Sequence, residues 1–252
     1  MPLRRAIWLS RAMNEPIDVA TADTVAFVTK HLPRSAQLIE VGCGKGHVAQ
    51  ALSDRGYRVV GLDADSETVA RAKERGAPVI QATWPEFEST PVDAIAFTRS
   101  LHHIGDLKRA VQKARDTLKP HGKLLVEDFA FDAADETTIT WFIDVVRNQA
   151  LVNASASDFV SELISSDDPA ATWRQHHSHE IHSAEAMQRC IAEHFNIEDA
   201  SSVPYLYRYL IPALPATSDA AAFLQRVLQD EAQRGRAGQI ALIGRHIVGT
   251  LL

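Results

Sequence analysis

The chain has few cysteines and no long apolar run. Only Cys43 and Cys190 occur among 252 residues, far apart in sequence. We therefore expect no disulfide and a reducing, cytoplasmic location. Apolar stretches such as Ile95–Phe97 are short and interrupted, which predicts no membrane-spanning segment. Residues 1–8 are basic but are followed too soon by polar residues to suggest a signal peptide.

Positive charge is not in excess either. The net charge of −6 argues against nucleic acid or an anionic membrane as the main partner. With 46% hydrophobic residues the chain can bury one substantial core, and we expect residues 1–252 to form a single domain. A P-loop sequence, G-x-x-x-x-G-K-[ST], is absent, which excludes that mode of nucleotide binding.

A glycine-rich stretch follows the first apolar run. Residues 37–41 are typical of a buried parallel strand, and residues 48–52 have helical spacing. Between them lie Gly42, Gly44 and Gly46, at every second position. Glycine has no Cβ and tolerates positive φ, so such a turn lets backbone N–H groups approach a ligand. The alternative is an ordinary tight turn between a strand and a helix.

A second predicted strand, residues 58–62, ends on Asp63. This carboxylate lies 21 residues after Gly42, where an acid at a strand end can accept both hydroxyls of a ribose. The dinucleotide fingerprint G-x-G-x-x-G is not matched, because position 47 is His. Further strands and helices alternate along the chain, which predicts a parallel sheet with helices on both faces.

The segment Glu40–Gly46, together with Gly61-Leu62-Asp63, resembles the first two motifs of class I S-adenosylmethionine-dependent methyltransferases. The segment Leu118–Val126, Leu-Lys-Pro-x-Gly-x-Leu-Leu-Val, resembles another of their motifs. The resemblance implies an α/β, Rossmann-like fold with a seven-stranded, mostly parallel sheet whose last strand is antiparallel. It also implies S-adenosylmethionine as the cofactor.

The resemblance further implies a set of cofactor-binding residues. They are Glu40, Gly42, Cys43, Gly44, Gly46, Asp63, Ala64, Ala82, Thr83, Trp84 and Thr98. The sequence departs from the family at Ala82 and Thr83, where relatives usually carry an acid that binds the adenine amino group. Thr83 Oγ or a backbone carbonyl is the possible substitute. Trp84 either covers the adenine ring or packs in the core.

Two histidines follow the fourth predicted strand, residues 93–98. A strand followed by Leu101-His102-His103 resembles many small-molecule methyltransferases, and the Asn/Asp-Pro-Pro-Tyr motif for amino groups of DNA bases and glutamine is absent. His102 or His103 is a candidate catalytic base, because an imidazole accepts protons near pH 7. The alternative is that the two histidines cap a helix or pack beneath the cofactor. We therefore expect methyl transfer to an oxygen or nitrogen of a small molecule.

Residues 131–182 are too long for an ordinary connection. We interpret them as a helical lid that forms part of the acceptor pocket. They contain His176, His177, His179 and His182, whose spacing permits a metal site, a wall of the pocket or a plain surface loop. We expect no metal there, because no Cys or Asp joins the cluster.

Two strands are predicted near the end of the chain. The alternation of Tyr205, Tyr207 and Tyr209 with other residues predicts a strand over 203–210, and residues 239–248 predict the last one. Two other functions stay open: a non-catalytic module that binds the cofactor, and a nicotinamide-dependent oxidoreductase. The sequence names neither the methyl acceptor nor the oligomeric state.

Overall fold

The computed structural model describes residues 13–251, and the basic segment at residues 1–8 lies outside this range. Seven strands form one sheet in the order β3-β2-β1-β4-β5-β7-β6. All neighbouring pairs from β3 to β5 are parallel, and β7 runs antiparallel to both β5 and β6. This arrangement confirms the predicted fold class. The strands are β1 Gln37–Val41, β2 Arg58–Asp63, β3 Val79–Gln81, β4 Val92–Thr98, β5 Leu118–Phe129, β6 Phe195–Val203 and β7 Gly244–Leu251.

Helices cover both faces of the sheet. They are α1 Pro16–His31, α2 His47–Ser53, α3 Ser66–Glu74, α4 Leu107–Thr117, α5 Glu136–Arg147, α6 Asp158–Ser165, α7 Pro169–His176, α8 Ala184–Ala192 and α9 Ser218–Arg236. Side chains from α1, α2 and α3 pack with Leu38 and Val59 on one face. Those from α4 and α8 pack with Ile39 and Ile95 on the other face. Because helices cover both faces of the sheet, most side chains of the central strands β1 and β4 are apolar.

The long segment after β5 folds into α5, α6 and α7. Their apolar side chains share one buried cluster with α9 and with the start of α1. Phe142, Val160 and Leu163 are fully buried within it. The segment is therefore packed against the rest of the chain as a third apolar core at the carboxyl end of the sheet. None of the helices between residues 13 and 251 is both long and apolar enough to cross a membrane.

The prediction of a strand over residues 203–210 was wrong. Strand β6 ends at Val203, and residues 206–213 form a 3-10 helix. The carboxylate of Glu231 on α9 accepts backbone hydrogen bonds from Tyr205, Leu206 and Tyr207, at 2.6, 2.9 and 3.1 Å. The backbone must turn for three consecutive N–H groups to reach one carboxylate. The alternating sequence does not reveal that Glu231, more than twenty positions later, is their acceptor. The last strand also begins later than predicted, at Gly244.

Candidate active site

The order of the strands reverses beside β1. The chain passes from β1 to β2 and β3 on one side and then places β4 on the other side of β1. In open α/β sheets, ligands bind beyond the carboxyl ends of the strands at such a point. The glycine turn after β1 and the loop after β4 meet there.

The glycine turn has the backbone conformation that its sequence requires. Gly42 has φ of 72°, and its N–H donates to Leu62 O at 2.8 Å. A Cβ at Gly42 would overlap the side chain of Ser100. Gly44 also has a positive φ, 52°, but a Cβ there would project into open space. The turn therefore packs tightly at Gly42 and presents bare backbone to a cavity at Gly44.

Two cavities, of about 690 and 500 Å³, border this turn and share Gly42 and Arg99. We call them together the groove. The larger cavity is lined by five of the predicted cofactor residues, Glu40, Gly42, Cys43, Gly44 and Thr98. The smaller cavity is lined by Gly42, Asp63, Ala64, Ala82, Thr83 and Trp84, and also by His103. Two predicted residues, Gly46 and His102, line neither cavity.

Gly46 serves packing at the start of α2. Its φ is 72°, and a Cβ there would lie 2.7 Å from the Cβ of Ala77. Its backbone N–H donates to Cys43 O at 3.0 Å. The glycine at this position allows α2 to approach the segment before β3.

Glu40 is a buried carboxylate at the base of the groove. One of its oxygens accepts a hydrogen bond from Thr98 Oγ1 at 2.8 Å. Within the described part of the chain, its second oxygen, Oε2, has no hydrogen-bond partner. Burial raises the pKa of Glu40 to about 7, while Thr98 and Arg99 oppose this rise. The free carboxylate oxygen is suited to a cationic ligand group, which would satisfy it.

Asp63 lies at the end of β2, and its carboxylate accepts a hydrogen bond from the glycine turn after β1. Its Oδ2 accepts from Gly44 N at 2.8 Å, and its Oδ1 accepts from Asp65 N at 3.0 Å. Each carboxylate oxygen keeps a second lone pair for a ligand hydroxyl. Trp84 is buried, and its indole N–H donates to Ala110 O at 3.1 Å, so the ring is fixed as a wall of the smaller cavity.

The two candidate histidines occupy different environments. His102 is buried, with Nδ1 at 2.6 Å from Asp128 Oδ1 and Nε2 at 3.1 Å from Glu180 Oε2. His103 is about half exposed, and its Nδ1 lies 3.3 Å from the same Glu180 oxygen. Burial lowers the pKa of His103, and His102 lowers it further. Only His103 borders the groove.

The histidines of residues 176–182 do not gather around one point. His177 is buried, and its Nδ1 lies 2.8 Å from Trp173 O while its Nε2 lies 2.7 Å from Tyr209 Oη. Since a carbonyl only accepts, Nδ1 donates there and Nε2 accepts from the phenol. Burial lowers the pKa of His177 to about 4. His176 stacks on Phe159, and His182 Nε2 lies 2.9 Å from Ile104 O.

A second polar wall lines the larger cavity, and no sequence motif predicted it. It includes Arg99 after β4 and, far from it along the chain, the neighbouring residues Tyr205, Arg208 and Tyr209. Both guanidinium groups pair with the buried carboxylate of Glu127, Arg208 at 2.9 Å. Arg208 also pairs with Asp23 of α1, and Tyr207 donates to that carboxylate at 2.7 Å. These pairs hold the 3-10 turn at residues 206–213 and α1 against the cavity.

The pKa of Glu127 lies far below its ordinary value, although burial alone would raise it, because Arg208 and Arg99 stabilise the ionised form. Burial raises the pKa of Tyr205 and of Tyr209 well above 10. The phenols therefore stay protonated near pH 7. Because the Tyr209 hydroxyl donates to His177, the donors that the wall presents to the cavity are the Tyr205 hydroxyl and the two guanidinium groups.

The sequence and structure were compared with known proteins. Residues 13–198 match the family model described as "Methyltransferase domain". The chain is 30% identical over 129 residues to a ubiquinone biosynthesis O-methyltransferase of Xylella fastidiosa, covering 47% of this chain. It spans only about half, 52%, of the length of that relative.

Two solved structures share the fold. The N-methyltransferase NodS of Bradyrhizobium japonicum, in complex with S-adenosyl-L-homocysteine, has a TM-score of 0.54 at 12% identity and covers 94% of this chain and 88% of its own. The geranyl diphosphate C-methyltransferase of Streptomyces coelicolor has a TM-score of 0.56 at 15% identity, covering 92% and 76%. These identities support a likeness of fold alone. The family match covers most of the chain, which therefore belongs to the methyltransferase domain family, with the class I fold.

Proposed function

We propose that the chain transfers a methyl group from S-adenosylmethionine to an oxygen or nitrogen of a small molecule. The observation that carries this proposal is the groove. An open glycine turn at Gly44, the unpartnered carboxylate oxygen of Glu40 and the strand-end Asp63 border it together. These are the groups that a ligand with an ammonium, a ribose and a flexible chain requires.

The residues of the groove fit the cofactor. Glu40 would pair with its ammonium group, the backbone of Gly42 and Gly44 would lie along its methionine part, and Asp63 would accept from the ribose hydroxyls. The smaller cavity, with Thr83 and no carboxylate at position 82, would take the adenine. When bound, S-adenosylmethionine supplies a methyl group on a sulfonium, which is already a strong electrophile. The protein therefore needs mainly to orient the reactants and exclude water.

The acceptor would occupy the rest of the larger cavity. A volume of about 690 Å³ suits a small molecule. The donors of Arg99, Arg208 and Tyr205 would bind oxygen atoms of the acceptor. The relatives named above methylate oxygen, nitrogen or carbon by their names, so the fold does not determine the acceptor. Of the two candidate bases, His103 is the one that we retain, because it borders the groove.

We also propose that residues 131–182 form the lid of the acceptor pocket within a single domain. The hydrogen bond between His177 and Tyr209 supports this role, since it joins the inserted segment to the wall of the larger cavity. The packing of α5 to α7 with α9 suggests a fixed cover. A location in the cytoplasm is part of the same proposal.

Calorimetric titration with S-adenosylhomocysteine, with NADH as the control, tests the cofactor assignment. We expect micromolar binding of the first and none of the second. Formation of S-adenosylhomocysteine from S-adenosylmethionine is then measured with phenols, carboxylates and amines as acceptors. Binding without turnover on any acceptor would favour the non-catalytic module, and binding of NADH alone would overturn the proposal.

A further inference from the structure

A second cluster of ionisable side chains lies beside the groove. It combines His102 and His103, which follow β4, with Glu180 of the inserted segment. One ligand atom from each of the three residues lies within 4.8 Å of the others. His179 stands next to them, with Nε2 at 3.4 Å from the other oxygen of Glu180. Residues almost eighty positions apart in sequence thus converge on one point.

Within residues 13–251, the carboxylates of Glu180 and of the adjacent Asp128 have only histidines as cationic partners. The side chains of Asp128 and Glu180 are 0% and 6% exposed. Among residues 13–251, only His102, His103 and His179 lie within ion-pair distance of them. In the same range Glu180 Oε2 has no hydrogen-bond partner. Burying two carboxylates is costly unless a positive charge balances them.

Two of the three distances between these ligand atoms are close to the edge of a tetrahedral metal site, and the third is at most 4.8 Å. Glu180 Oε2 lies 3.1 Å from His102 Nε2 and 3.3 Å from His103 Nδ1. Ligand bonds of 2.0–2.1 Å in a tetrahedral zinc site put neighbouring ligand atoms about 3.3–3.4 Å apart. Asp128 Oδ1 lies 2.6 Å from the opposite ring nitrogen of His102, Nδ1, and Asp128 Oδ2 accepts from the backbone N–H of His102 at 3.4 Å, so this carboxylate holds His102 in place. A carboxylate behind a ligating histidine is the usual second layer of such sites.

We propose that His102, His103 and Glu180 bind a divalent transition-metal ion of the zinc type, with one coordination position open. Two imidazoles and one carboxylate suit Zn²⁺ and disfavour Mg²⁺, which requires oxygen ligands in an octahedron. His103 borders the smaller cavity of the groove, and Glu180 borders a further cavity of about 430 Å³ in the inserted segment. The ion thus has a route of entry and joins the inserted segment to the loop after β4.

This site changes the role of His103. An imidazole that donates its Nδ1 lone pair to a metal carries its proton on Nε2 and has no lone pair left to act as a base. Wherever the ion is bound, the ligand role therefore replaces the base role proposed above. It also revises the expectation, made from the sequence, that no metal binds.

The test is a competition titration of the metal-free chain with Zn²⁺ against a chromophoric chelator, followed by Co²⁺ titration with visible spectroscopy. We expect one Zn²⁺ per chain with submicromolar affinity and the intense bands of tetrahedral Co²⁺. Glu180→Gln and His103→Asn should each weaken Zn²⁺ binding by more than about 100-fold, beyond the effect of losing a second-layer residue. Millimolar Mg²⁺ should not compete.

His121→Asn is the matched control, because His121 is an exposed histidine near the start of β5 with φ of 61°, which asparagine tolerates. It should bind Zn²⁺ as tightly as the unchanged chain. Melting of each variant without metal verifies that the fold is kept. Equal Zn²⁺ affinity in all variants, or no binding tighter than micromolar, would overturn the proposal. The carboxylates would then be balanced by a histidine and not by a metal ion. Metal is measured without cofactor, so this result is separate from that of S-adenosylhomocysteine binding.

Discussion

Glu40→Gln tests whether the buried carboxylate of Glu40, which we assign to ligand binding, lowers the free energy of unfolding. The pKa of Glu40 is about 7 in the folded chain, against an ordinary value of 4.5. A pKa raised by folding means that stability is lost as the pH rises from 4.5 to 7, because the carboxyl group must then ionise in a buried place. Glutamine cannot ionise and keeps an oxygen to accept from Thr98.

The size of the effect follows from the pKa. At 1.36 kcal/mol for each pKa unit, burial of the ionised group costs about 3 kcal/mol above pH 7. At pH 5 the same group is mostly protonated in the folded chain, and the cost falls below about 1 kcal/mol. Glu40→Gln should therefore raise the free energy of unfolding by about 3 kcal/mol at pH 8 and by much less at pH 5.

Urea unfolding at the two pH values measures this difference. Glu67→Gln is the control, since Glu67 is exposed and pairs only with Arg71 on the surface of α3, where the pair contributes little. Binding of S-adenosylhomocysteine to the unchanged chain should strengthen about tenfold per unit as the pH rises from 5 to 7, because the ionised carboxylate is the form that pairs with ammonium. A stability gain that is the same at pH 5 and pH 8 would refute the reasoning.

Four further substitutions test the groove and its wall. Asp63→Ala should weaken S-adenosylhomocysteine binding by about 1–3 kcal/mol in calorimetry, whereas Asp65→Asn, outside the groove, should not. Gly42→Ala should cost about 2–4 kcal/mol in urea unfolding, from positive φ and overlap, and Gly44→Ala only about 1–2. Glu127→Gln should cost about 3–5 kcal/mol at pH 7, since Arg99 and Arg208 lose their shared buried carboxylate and Arg208 keeps Asp23. Because the pKa of Glu127 is depressed, this difference should shrink as the pH falls below 4.5; a loss that does not depend on pH would contradict the ion pairs.

The local sequence was sufficient to predict the sheet and the centre of the groove. Strand, glycine turn and helix follow one another within residues 37–53, and Asp63 ends the next strand, so short-range pattern fixes both positions. Gly46 and His102 were placed in the site by the same pattern, and neither lines the groove. Gly46 is required by packing against Ala77, a contact that a linear motif does not encode.

The acceptor wall and the metal cluster depend on contacts between distant segments. Arg208 lies in the segment predicted as a strand, where the carboxylate of Glu231 on α9 accepts from three backbone N–H groups and stabilises a turn instead. Glu180 was visible among the histidines of residues 176–182 as their one acidic neighbour. Its true partners, His102 and His103, follow β4, and hydrophobic periodicity carries no information about that approach.

The end of β5 explains why both clusters lie beside the groove. Successive side chains of a strand point to opposite faces of the sheet. Glu127 holds Arg99 and Arg208 on the side of α1, and its neighbour Asp128 faces His102 on the other side. Neither Glu127 nor Asp128 therefore needs to contact an acceptor. Glu127 holds two arginines in the wall of the larger cavity, and Asp128 positions a histidine. Substituting either should leave the other cluster intact, so Glu127→Gln should alter stability without changing Zn²⁺ affinity, and Asp128→Asn should weaken Zn²⁺ binding by about 10–100-fold.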